Sequence, residues 1–141
     1  MKSFLFYILT LSIPFLTGCA STKNNIDTTK VHIIDATYHS WTEKLPDATL
    51  PESGTDLQLA VTNWAANYNP EYVIFNHYKS HAATIADSSG NRVQIQARII
   101  RTSSVMMVTA QKTTLSDRLV FTTAKGDTSF IEIEEWERAE K

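Results

Sequence analysis

Cysteine is all but missing from this sequence: Cys19 is the only one in 141 residues. No intramolecular disulfide can form, so the fold must rest on packing and hydrogen bonding in any redox compartment. Glycine and proline are also sparse, at four residues each. There is little material for a phosphate-cradling glycine loop, none is found, and the G-x-S-x-G turn of seryl hydrolases does not occur either. Surplus positive charge is lacking too. With 13 Lys and Arg against 15 Asp and Glu, the chain offers no basic field for nucleic acid or for anionic lipid.

What is present begins with the place of that cysteine. Lys2 gives a short positive start, Phe4 to Leu16 form an almost unbroken apolar run of 13 residues, and Thr17-Gly18 make a small-residue approach to Cys19. This is the three-part layout of a secretory signal. As a helix the run would reach about 20 Å, short of the roughly 30 Å hydrocarbon core, and Pro14 would interrupt it. A permanent transmembrane span is therefore not expected.

Leu16-Thr17-Gly18-Cys19 resembles the lipobox of bacterial lipoproteins. The resemblance implies cleavage between Gly18 and Cys19 and a diacylglyceryl group on the Cys19 thiol. Two or more acyl chains then anchor the protein stably, at about 0.8 kcal/mol per buried methylene. Cleavage removes one charged residue, Lys2, and leaves 123 residues with a formal net charge of −3. Residues 1–18 thus read as a lipoprotein signal peptide and 19–30 as a flexible polar tether. Residues 31–136 read as one domain, and 137–141, "ERAEK", as a charged tail expected to fray.

The domain reads as a series of short strands. "VHIIDATYHSW", Val31 to Trp41, is β-branched and aromatic. "TEKLPDATLPESGT" is broken by Pro46, Pro51 and Gly54 and reads as a long loop. "DLQLAVTNW" alternates, with Leu57, Leu59 and Val61 on one face and Gln58, Ala60 and Thr62 on the other. "EYVIFNHYK" reads as a strand after an Asn69-Pro70 turn. "ATIAD" and "RVQIQARII" flank the turn residues Ser88-Ser89-Gly90-Asn91, with Val93, Ile95, Ala97 and Ile99 expected inside. "SVMMVTAQ" is a further strand, and "RLVFTTA" with "TSFIEIEEW" forms a hairpin around Lys125-Gly126-Asp127. Seven or eight such strands predict an all-β fold, a single antiparallel β-sandwich of Ig-like or related type following the cleavable signal helix. A partly open β-barrel is the alternative.

Side chains that could carry chemistry are few. His77 and His81 have the i, i+4 spacing of a helical metal pair, but on a strand they stand about 13 Å apart. Glu132, Glu134 and Glu135 cluster, yet alternation with Ile131 and Ile133 makes Glu132 and Glu134 the solvated face of a terminal strand. No catalytic residue, metal site or cofactor is assigned.

The aromatics are more informative: Trp41, Trp64 and Trp136 with Tyr38, Tyr68, Tyr72 and Tyr78. Such rings are core material in a sandwich, and exposed ones serve as recognition platforms. Trp64 is expected to be the exposed exception, because it ends an alternating strand on the polar face and opens a loop carrying Asn67 and Tyr68. The partner-binding candidates are therefore Trp64, Asn67 and Tyr68, together with Ser53 and Gly54 in the long loop that reaches from Glu43 to Thr55.

"YHSW", the Ser53-Gly54 segment and the closing "LVFTT" to "FIEIEEWE" hairpin resemble small lipoproteins of the Bacteroidota kind. That likeness carries no activity. It implies a periplasmic orientation, since Ala20, Ser21, Thr22 and Lys23 replace the acidic residues that follow the cysteine in surface-exposed members. Ser53-Gly54 also resembles the serine-glycine element of periplasmic lysozyme inhibitors, although their disulfide cannot form here and Asp56-Leu57 replaces their tyrosine.

The expectation is a non-catalytic binding or scaffolding module on the periplasmic face of the outer membrane. Its partners would be the membrane, through Cys19, and an envelope protein or glycan, with no nucleic acid. The alternatives are an enzyme inhibitor of the lysozyme-inhibitor type and a small-ligand or metal-handling protein.

Overall fold

The computed structural model describes residues 31–44, 46–47, 49–102 and 109–140. Within them run ten strands: β1 His32–Glu43, β2 Glu52–Thr62, β3 Asn69–Phe75, β4 Tyr78–Lys79, β5 Ala83–Ser89, β6 Arg92–Thr102, β7 Gln111–Lys112, β8 Arg118–Thr122, β9 Thr128–Glu132 and β10 Glu137–Arg138. Two sheets result, ordered β10-β1-β2-β6-β5 and β7-β4-β3-β8-β9. The described pairings are antiparallel except β1 with β10. Two separate sheets enclosing one core make this a β-sandwich and not a barrel.

Alternation in β2 and β6 builds one wall of the core. Leu57, Leu59 and Val61 lie opposite Ala97, Ile95 and Val93, and all six are buried. The second sheet contributes Val73, Leu119 and Phe121. Each large apolar side chain removed from water in this way contributes about 1.5–3 kcal/mol. Two ring clusters brace the core. Trp64, Tyr68 and Phe121 meet at centroid distances of 5.1–5.6 Å, and Phe75 packs on Tyr38 and on Trp136 at 5.0 Å each.

Tight turns set the registers. Asn76 and His77 both have positive φ, at 47° and 65°, between the paired Phe75 and Tyr78, which is the two-residue hairpin turn of type I′. "EYVIFNHYK" is therefore a hairpin and not one strand, because an Asn-x pair in the left-handed region reverses the chain. Gly90, at φ 62°, opens the two-residue loop between Ser89 and Arg92.

Three further expectations need correction. First, β1 and β2 stay paired as far as Glu43 with Glu52, so the loop between them covers only residues 44–51, and Ser53 and Gly54 lie within a strand. Second, the 137–141 segment expected to fray begins with β10: Glu137 and Arg138 pair with Thr37 and Tyr38, and the Ala139 N–H donates to the Tyr38 carbonyl at 2.9 Å. The open edge of β1 supplies backbone partners that a charged sequence does not advertise. Third, β3 begins at Asn69 itself, with a bulge between Pro70 and Tyr72 absorbing the proline. Most of "SVMMVTAQ" falls on residues 103–108, and the lipobox on 1–30. Both lie outside the described residues.

Candidate functional site

Trp64 is not a surface residue. It retains 4% of its exposure and packs on Tyr68 and Phe121. Strict alternation from Val61 would turn Trp64 outward with Thr62, but Asn63 adopts φ 58° and breaks the alternation. The Trp64 N–H then donates to the Asn91 carbonyl at 2.9 Å, and Asn91 Nδ2 donates to Asn63 Oδ1 at 2.9 Å, tying this connection to the β5–β6 turn. Tyr68 is half-buried beneath the same aromatic cluster, and its N–H donates to the Ala65 carbonyl. Of the three candidates in this loop, only Asn67 is exposed. Ser53 is partly buried and Gly54 buried inside β2, so neither can lead a protruding loop into a partner.

Gly54 nevertheless points to a different site. In antiparallel pairs, opposed residues share a face. Inward-facing Leu57 puts Gly54, Asp56 and Gln58 on the outer face of the first sheet. Beside them stand Trp41, His39 and Thr37 from β1, and Ile100, Arg98 and Gln96 from β6. Thr84 of β5 continues the last row.

Trp41 lies over Gly54. A Cβ at residue 54 would stand 2.7 Å from its Cζ2 and 3.0 Å from its Cε2. The indole Nε1 donates to Asp56 Oδ1 at 3.2 Å. Arg98 grips the same carboxylate as a fork, with Nε on Oδ1 at 2.6 Å and Nη2 on Oδ2 at 2.9 Å, and its guanidinium stands 5.2 Å from the Trp41 ring centre. The hydrogen bond to Asp56 holds the Arg98 guanidinium above its ordinary pKa; partial burial opposes this, and the charges of Asp56 and Glu43 add to it. With side chains 62% and 37% exposed, the ion pair contributes only about 0–1 kcal/mol to stability. Its effect is to fix a tryptophan, a carboxylate and a guanidinium in one arrangement. Beside it lies a depression of about 370 Å³ lined by Asp56, Gln58, Ala82, Thr84, Gln96 and Arg98, with the backbone of Leu57 and Ala97 between them.

A larger depression, of about 650 Å³, opens where the 131–137 segment passes the start of β1. Five carboxylates (Asp35, Glu132, Glu134, Glu135 and Glu137) line it, and His32 is the only basic side chain in that lining. It supplies mutually repelling acceptors with scant donors. Glu132 and Glu134 are exposed and Ile133 is buried, but β9 ends at Glu132, so the terminal strand expected to run on through Glu134 is shorter and Glu134 lies in the connection to β10. His77 occupies the β3–β4 turn and His81 follows β4, both exposed. Among the described residues, no three His, Cys, Asp or Glu side chains come together as a metal site needs.

The sequence alone does not mark Trp41, Asp56 and Arg98 as a site, since they lie on three separate strands. The available signal was a glycine inside an alternating strand, which often marks close approach by another group. Comparison with protein-family models, curated proteins and solved structures finds no match for this chain.

Proposed function

We propose that this chain is a lipid-anchored cell-envelope protein, held by acyl groups on Cys19 at the periplasmic face of the outer membrane. Its sandwich domain is a non-catalytic binding or scaffolding module for an envelope partner, and the outer face of the first sheet around Trp41 is the contact surface. The observation that carries this reading is the Trp41–Asp56–Arg98 cluster. It fixes an amphipathic ring and a guanidinium, two groups that dominate recognition surfaces, through an ion pair worth little to stability. The lipobox supports the anchor, and Ala20 to Lys23 support the periplasmic side.

Intact mass of the membrane-extracted protein tests the anchor. Loss of residues 1–18 with a gain of acyl mass is expected, and a Cys19→Ser variant should leave the membrane fraction. An unmodified Cys19 defeats that part. Crosslinked capture from native envelope, comparing the lipidated protein with an Arg98→Glu variant, tests the surface. Equal capture by both would show that the contact lies elsewhere. Among the alternatives, an inhibitor of the lysozyme-inhibitor type loses its motive with Ser53 and Gly54 inside β2.

A further inference from the structure

Resting on the binding-module reading, we propose that the depression lined by Asp56, Arg98, Gln58, Gln96 and Thr84 is a subsite for a neutral saccharide of the cell envelope. Size is the first argument: about 370 Å³ lies at the small end of the roughly 300–1,000 Å³ range of ligand pockets. Chemistry is the second. Asp56 supplies acceptors, Arg98 donors, Gln58 and Gln96 one of each, and Thr84 a hydroxyl, in adjoining rows across β2, β6 and β5. That alternation of donors and acceptors suits a ring bearing hydroxyls at every side. Trp41 does not line the depression; its indole N–H holds the Asp56 carboxylate that does.

Charge narrows the ligand further. The Asp56 carboxylate and the Arg98 guanidinium neutralise each other through two hydrogen bonds. An anionic ligand would have to compete with Asp56 for the guanidinium, and a cation with Arg98 for the carboxylate. An uncharged polyol can use the remaining lone pairs and N–H groups of both. An extended peptide is poorly served, because strand addition needs a free backbone edge. This depression lies over β2 and β6, whose edges are already paired with β1, with each other and with β5. Rigid fixation of the fork also lowers the ordering cost of binding.

The test uses the full lipidated chain in a zwitterionic detergent free of sugar head groups, titrated calorimetrically with cellohexaose, chitohexaose and the anionic hexagalacturonate. A saturable response to at least one neutral hexamer is expected, with the anionic hexamer at least about tenfold weaker. Arg98→Ala and Gln96→Ala should each weaken binding by about tenfold or more without moving the urea midpoint. Silence toward both neutral hexamers at millimolar concentration overturns the proposal, as does equal or tighter binding of hexagalacturonate or undiminished binding by both variants. If the neutral hexamers fail while capture of an envelope protein is still lost with Arg98→Glu, the saccharide falls and the module stands. Should both experiments fail, the module falls with it.

Discussion

Replacing Gly54 by alanine sets two opposed effects against each other, and the geometry at β2 decides their sign. At an ordinary strand position glycine is worse than alanine by roughly 0.5–1 kcal/mol, so the substitution should stabilise. Here the new methyl would press on the Ile99 carbonyl oxygen, far inside contact distance, and stand 2.7 and 3.0 Å from two atoms of the Trp41 ring. The Ile99 backbone belongs to β6 at the point opposite Thr55 and cannot retreat without disturbing the β2–β6 pairing. Trp41 can retreat only by loosening its bond to Asp56. Overpacking of this kind costs about 1–3 kcal/mol, so the net expectation is a loss of about 1–2 kcal/mol. For a domain of this size that corresponds to a melting temperature lower by on the order of 5–10 °C. Urea denaturation followed in parallel by far-UV circular dichroism and tryptophan fluorescence measures it. The double variant Trp41→Ala, Gly54→Ala should be less destabilised than the sum of the singles by at least about 0.5 kcal/mol, because the ring contacts vanish. A Gly54→Ala protein as stable as the parent, or more stable, would refute the claim that Trp41 is seated on this glycine.

Trp64→Ala should cost about 3–5 kcal/mol in the same urea assay, as for any large ring removed from a core, whereas Trp64→Phe should cost far less because it keeps a ring in that space while deleting a buried Nε1–H that has no partner among the described residues. Equal losses from the two would contradict the packing described. His77→Gly should stabilise by about 1 kcal/mol, since the exposed His77 is held at φ 65°, where glycine carries no penalty; a lower urea midpoint would argue against that backbone conformation. Ser80→Ala should cost about 1–3 kcal/mol, because Ser80 Oγ accepts the buried Val73 N–H at 2.9 Å and alanine leaves that donor unpaired. Hydrogen exchange at the Val73 amide should then accelerate, and an unchanged rate would show the bond to be unimportant.

Much of the sheet structure was legible because its cause is local. Alternation of apolar and polar residues in "DLQLAV" and "RVQIQARI" follows from the strand repeat of two, and Leu57, Leu59, Val61, Val93, Ile95, Ala97 and Ile99 are buried as it predicts, whereas Ala60, expected on the opposite face with Gln58 and Thr62, is buried as well. Illegible features depended on events that break the period or on distant partners. One left-handed residue, Asn63, sends Trp64 into the core. Two more, Asn76 and His77, split a segment otherwise rich in β-branched and aromatic residues. The length of the β1–β2 hairpin is not legible because Glu43, Glu52, Ser53 and Gly54 have low strand propensity, and their pairing shows only once the register is known. The outer face around Trp41 was hidden for a different reason. Its members come from β1, β2 and β6, so Trp41, Asp56 and Arg98 meet only once two registers are known.

The places where the chain passes from one sheet to the other explain how a sandwich lacking an internal disulfide closes its sides. Such passages occur between β2 and β3, β4 and β5, β6 and β7, and β9 and β10. Each delivers a residue buried to 9% exposure or less: Trp64, Ser80, Ala110 and Ile133 respectively. In each case the backbone N–H of that residue is bonded outside the regular ladders, to the carbonyls of Asn91, Val73, Ile100 and Asp117. A connecting segment that enters a core without such a partner would bury an unpaired donor at about 1–3 kcal/mol. With the donors satisfied, Trp64, Ser80, Ala110 and Ile133 can close the sides by packing where small secreted domains use covalent bridges. Among the described residues, the first sheet is then held from its inner face and its margins. Trp41, Asp56 and Arg98 stand on its other face, joined by an ion pair that contributes only about 0–1 kcal/mol to stability.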